Sequence, residues 1–108
     1  MSNINPIKFM YNDKEYTLEF TRESIRQLER SGFNIAEVET KPMLTIPKLF
    51  AGAFLAHHRF IKQETVDEIF ETMTNKGALL ERLIALYQLP FEYLVSDGKD
   101  EKNAIKWE

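Results

Sequence analysis

The two histidines of this chain, His57 and His58, stand side by side in the stretch LFAGAFLAHHR. Imidazole is the side chain best suited to proton transfer and metal ligation near neutral pH. Two imidazoles on one ion need a shared helix face, which HxxxH spacing supplies and adjacency does not. The pair therefore predicts one packed and one solvated ring near a helix C-terminus, where positive charge is favoured. No cysteine is present to complete a ligand set. Carboxylates at Glu64 and Glu68, and at Asp67 and Glu71, lie four apart. General acid–base work needs a carboxylate in a concave, partly dry pocket. These lie opposite an apolar stripe and read as solvated. No serine or threonine sits in a nucleophile-elbow pattern, and the four glycines form neither a phosphate loop nor a dinucleotide fingerprint. The residues predict no catalytic group, no cofactor and no metal.

The elements that would position any site are clearer. Tyr16, Leu18 and Phe20 alternate as a strand does. Thr21 is a good N-cap, with Phe20 and Ile25 at the two positions of a hydrophobic staple. Gly32 supplies the left-handed residue that ends a helix. Ile7–Tyr11 and Glu15–Phe20 flank the turn-forming triplet Asn12-Asp13-Lys14, which predicts a β-hairpin. In the following helix Ile25 and Leu28 mark the buried stripe. Asn34–Val38 is read as either a short strand or a helical turn. Pro47 fits the first turn of a helix starting near Thr45 and running to about His58, because proline is tolerated there and not in a helix interior. Gly52 inside that helix costs about 1 kcal/mol relative to alanine, which predicts close approach by another helix or by the hairpin. Gln63–Asn75 carries Val66, Ile69, Phe70 and Met73 on one stripe. Lys76-Gly77 reads as a break. Ala78–Leu89 is apolar over more than half its circumference through Leu79, Leu80, Leu83, Ile84, Leu86 and Tyr87. Such a helix is central or shared with a partner. Pro90 is expected to stop it, with one further turn over Phe91–Val95.

The chain has 108 residues, 44% of them hydrophobic, which suits one domain with a real core. The expectation is an α+β, predominantly α-helical fold: an N-terminal β-hairpin packed on a four- to five-helix array, residues 1–95. Residues 96–108 read as a mobile polar tail. The net charge is −3 and no Lys/Arg cluster is present, which argues against nucleic acid. No apolar run approaches the ~20 residues needed to span a bilayer, and no signal peptide is visible. Aromatic residues are plentiful: eight Phe, four Tyr and one Trp. Most of the Phe fall on buried stripes. Tyr11, Phe91, Tyr93 and Trp107 lie near segment ends or in the tail, where accessible aromatics anchor partners.

The segments YTLEFTRESIRQLERSGF, KPMLTIPKLFAGAFLAHHR, VDEIFETM and LLERLIALYQLPFEYL resemble the small tail assembly chaperones of long-tailed (siphovirus-type) bacteriophages of Gram-positive bacteria and related prophages. The resemblance covers roughly residues 7 to 95. It is most specific in Tyr16–Phe33 and Pro47–Arg59, and it rests on hydrophobic and capping patterns rather than on catalytic signatures. It implies a non-enzymatic protein of the host bacterial cytoplasm that is absent from the mature virion. Such chaperones keep the tape measure protein soluble and recruit tail tube protein to it. Many also exist as a longer form made by programmed frameshift; this chain is similar to the short form. The partner-binding residues expected on this reading are Tyr11, Leu79, Leu83, Leu86, Tyr87, Phe91, Tyr93 and Trp107, a surface that would also serve self-association. The alternative is a small structural head–tail joining or tail-completion protein.

Overall fold

The computed structural model describes residues 4–95 together with Ile105 and Trp107. Strands β1 (Ile7–Tyr11) and β2 (Lys14–Leu18) pair antiparallel, with Phe9 opposite Tyr16 and Tyr11 opposite Lys14. Asn12 and Asp13 alone connect them. Both have positive φ, 50° and 63°, as a type I′ turn demands and as the short polar side chains of Asn and Asp tolerate. The inner face carries Ile7, Tyr16 and Leu18, all buried, while Lys8, Met10 and Glu15 point to solvent.

The corner into α1 (Arg22–Arg30) forms as its sequence predicts. The Ser24 N–H donates to Thr21 Oγ1 at 3.1 Å and the Thr21 N–H donates to Ser24 Oγ at 2.9 Å. This is a reciprocal capping box that satisfies two donors the first turn leaves unpaired. Phe20 and Ile25 are both buried. At the other end Gly32 has φ 96°. The Phe33 N–H reaches the Leu28 carbonyl at 3.1 Å and the Gly32 N–H reaches the Glu29 carbonyl at 3.0 Å, a Schellman closure.

Helix α2 (Glu37–Thr40) is the helical turn of the two readings open for that segment. Helix α3 (Pro42–Gly52) departs from expectation at both ends. It starts at Pro42, which is preset for the first turn, and carries Pro47 inside. Pro47 lies on the solvent side and the residue it fails to bond, Met43, is 88% exposed, so water can take the unpaired carbonyl. The helix stops at Gly52, short of His58. Beyond it the chain tightens into i→i+3 turns, with the Phe54 N–H on the Ala51 carbonyl and the Leu55 N–H on the Gly52 carbonyl. A Cβ on Gly52 would stand 2.5 Å from Leu28 Cδ1. The close neighbour is therefore α1.

Helix α4 (Gln63–Thr72) is followed by a break at residues 73–75, where Asn75 has φ 52°. Helix α5 runs from Lys76 to Val95 straight through Pro90. The expected stop at Pro90 is thus corrected. One i→i−4 bond is lost there, but the rings of Tyr87 and Phe91, four apart, meet at 5.5 Å and hold the next turn. One hydrophobic cluster joins the hairpin, α1, α3, α4 and α5. No helix among the described residues is long and apolar enough to cross a membrane.

Candidate interaction surface

Helix α5 divides into two parts with different environments. In the first, Leu79, Leu83, Leu86 and Tyr87 are all buried. The Tyr87 ring takes Phe20 edge-on at 5.2 Å and Phe33 at 5.6 Å. Burial, and then the Glu29 carboxylate, push its phenol up to about 12. The expectation that these four side chains offer surface to a partner is therefore corrected. One small core absorbs them, because the hairpin corner and the end of α1 close over that face.

The last turn and a half of α5 is more exposed among the described residues. Phe91, Tyr93 and Leu94 are 39%, 50% and 56% exposed, and Val95 more so. Its Phe91–Leu94 side faces the wet flank of α1. Arg22, Ile25, Arg26, Glu29, Pro90, Phe91 and Leu94 line a groove of about 140 Å³ between the two helices. That is below the ~300 Å³ at which small-molecule pockets begin, and it suits a single apolar side chain of a larger partner. Its apolar lining is Ile25, Pro90, Phe91 and Leu94, and its charged lining is Arg22, Arg26 and Glu29, with Arg26 bonded to Glu23 at 3.0 Å. On the opposite side of α5, Ile4, Ala85, Gln88, Phe91, Glu92 and Val95 border a second, more open depression. Arg82 fastens the N-terminal segment there by donating to the Asn5 carbonyl at 2.8 Å.

The other expected anchors are scattered. Tyr11 is half-buried at the hairpin end, and its hydroxyl donates to Glu68 Oε2 of α4 at 3.1 Å. Burial, and then Glu68, raise its phenol above the usual value. Trp107 is 87% exposed; the rest of the expected mobile tail, other than Ile105, lies outside the described residues. Leu94, Val95 and the groove residues of α1 are not among the sequence candidates. Reading α5 through Pro90 would have exposed the signal, since Tyr87, Phe91 and Leu94 then follow helical spacing.

The histidines divide as the sequence predicts. His58 is half-buried between the rings of Tyr16 and Phe54, at 5.0 and 6.2 Å. Its Nε2 accepts the Thr17 N–H at 3.1 Å, which leaves that lone pair occupied rather than available as a base. Burial, then Lys14 and His57, hold its pKa below the usual 6.5. His57 faces solvent and sets its Nε2 against the Glu19 carboxylate. Together they tie β2 to the turns after α3, where the Glu19 N–H also donates to the Ala53 carbonyl at 3.2 Å. Their geometry does structural work.

The chain belongs to the family described as Domain of unknown function (DUF5055), which matches residues 1–108. Comparison with curated proteins and with solved structures gives no match.

Proposed function

We propose that this DUF5055 chain is a non-enzymatic phage tail assembly chaperone. It binds the tape measure protein, keeps it soluble in the bacterial cytoplasm, and helps recruit tail tube protein before leaving the finished particle. The observation that carries this reading is the exposed end of α5, where Phe91 and Leu94 line a small groove with Ile25 of α1. Such a groove takes one apolar anchor of an amphipathic partner helix, the helix-in-groove mode. The likeness of the Tyr16–Phe33 and Pro47–Arg59 segments to such chaperones supports the same reading.

The test is co-expression with the tape measure protein encoded in the same tail gene cluster. The wild-type chain keeps that protein in the soluble fraction. The variant Leu94→Glu puts a charge into the groove and leaves the Tyr87–Phe91 contact in place; it retains the wild-type circular dichroism spectrum and lowers the soluble yield at least fivefold. Equal yields with the folded variant would remove the groove from the mechanism, and this chain in purified particles would remove the chaperone role.

A further inference from the structure

Among the described residues the hairpin has one covered edge and one open edge. With two connecting residues, Tyr11 and Lys14 exchange hydrogen bonds, so Ile7, Phe9 and Tyr11 bond toward β2. Residues Glu15, Thr17 and Glu19 turn their backbone groups the other way. Two of them find partners there, the Thr17 N–H on His58 Nε2 and the Glu19 N–H on the Ala53 carbonyl. By the same parity, Lys8 and Met10 aim their N–H and C=O groups away from β2, on the outer edge of β1. The sheet has only two strands among the described residues, and no backbone bond outside the hairpin reaches Lys8 or Met10. Phe9 and Tyr11, on the inner face at this edge, are only half-buried. An open edge over incompletely covered aromatic rings is a template for another strand.

We infer that the outer edge of β1 pairs with β1 of a second copy of this chain, antiparallel about a two-fold axis at Phe9. The sequence favours one register. Centring on Phe9 sets Lys8 opposite Met10 of the second copy and Met10 opposite its Lys8. Both are edge-facing residues, so both exchange N–H···O bonds. Shifting the axis to Lys8 would set lysine against lysine and bring Pro6, which has no N–H, into the ladder. Shifting it to Met10 would bring in Asn12, whose φ of 50° is not extended.

The Phe9 register also matches side chains on both faces. On the inner face Phe9 already stacks on Tyr16 at 5.6 Å; the second copy adds its own Phe9 and Tyr16 to that row, and cross-strand aromatic pairs are favourable. On the outer face Lys8 looks past the second copy's Met10 toward its Glu15, about 10 Å away across two strand spacings. That attraction is modest, since screening sets in at about 8 Å in physiological salt, but it has the right sign. A C2 contact of this kind is self-closing, so it yields a dimer and not a fibre. It uses a different surface from the α1–α5 groove, so it stands or falls independently of the chaperone reading.

Analytical ultracentrifugation of the full chain over a concentration series tests it, with amide hydrogen exchange read at Lys8 and Met10. The wild type forms a dimer at high concentration, and both amides slow at least tenfold there relative to dilute protein. Met10→Lys sets like charges opposite each other and weakens the dimer at least tenfold. Lys8→Glu/Met10→Lys restores opposite charges across the axis and recovers it. Met10→Pro deletes the outward donor without touching the hairpin's own ladder, and it also leaves a folded monomer. A chain monomeric at every concentration, a dimer indifferent to Met10→Lys, a double variant that stays monomeric, or amides protected only by a different protein would each overturn the inference.

Discussion

His58 reads as a chemical residue in the sequence and as a fastener in the fold. Its Nε2 accepts a hydrogen bond from the Thr17 N–H, which only the neutral ring can do. Protonation would make both ring nitrogens donors and set a charge beside Lys14 and His57, which, after burial, already lower its pKa. The folded value therefore lies below the unfolded one. The stability this ring contributes is complete above about pH 6.5 and is lost as pH falls below that value through the folded pKa. Thermal melts at pH 7 and pH 5 check this. His58→Gln keeps an acceptor for Thr17 without a titrating ring, so it should lose less melting temperature across that interval than the wild type. An equal loss would mean that the carboxylates alone carry the acid sensitivity. The sequence predicted one packed and one solvated ring here, and helical spacing with Leu49, Phe50, Ala53 and Phe54 pointed to His57, whereas the structure packs His58. That choice depends on β2, some forty residues earlier in the chain.

At the level of elements, the signals legible in the sequence were those whose cause is local. The turn at Asn12-Asp13-Lys14, which the structure closes over Asn12 and Asp13 with Lys14 already in β2, the Thr21 cap, and the Gly32 closure each rest on contacts within a few residues, and each appears in the structure. The two prolines misled for different reasons. Pro47 is tolerated because its side of α3 faces water, which is not visible until the helices are packed. At Pro90 the signal was local, since α5 continues alongside the i,i+4 contact of Tyr87 with Phe91, but it shows only when the helix is read through the proline. Gly52 shows the useful middle case: its cost predicted a close neighbour, and the neighbour is Leu28 of α1, with Cδ1 2.5 Å and Cδ2 2.7 Å from an added Cβ. Leu28 is itself buried, but it borders a depression that Gly52 also lines, so its side chain can yield in part. Gly52→Ala should therefore destabilise the domain by up to about 2 kcal/mol in urea unfolding, because overpacking of about 1–3 kcal/mol is offset by a propensity gain of at most about 1 kcal/mol. A more stable variant would show that the α1–α3 contact yields easily.

For the molecule as a whole, the α+β, mostly helical architecture was legible from periodicity, whereas the division of α5 was not. An all-round apolar helix could be central or shared, and the sequence assigned Leu79, Leu83, Leu86 and Tyr87 to a partner. The fold spends those on its own core, through Phe20 and Phe33 from the first third of the chain. It leaves Phe91 and Leu94 uncovered instead. The account thus reduces to one claim, that the α1–α5 groove receives an apolar helix of the tape measure protein. Amide chemical-shift mapping with a helical, apolar-striped segment of that protein tests it most directly. The account predicts saturable shifts clustered at Arg22, Ile25, Arg26, Phe91 and Leu94. Shifts confined to the hairpin or to the surroundings of His58, or no shifts at all under saturating segment, would contradict it.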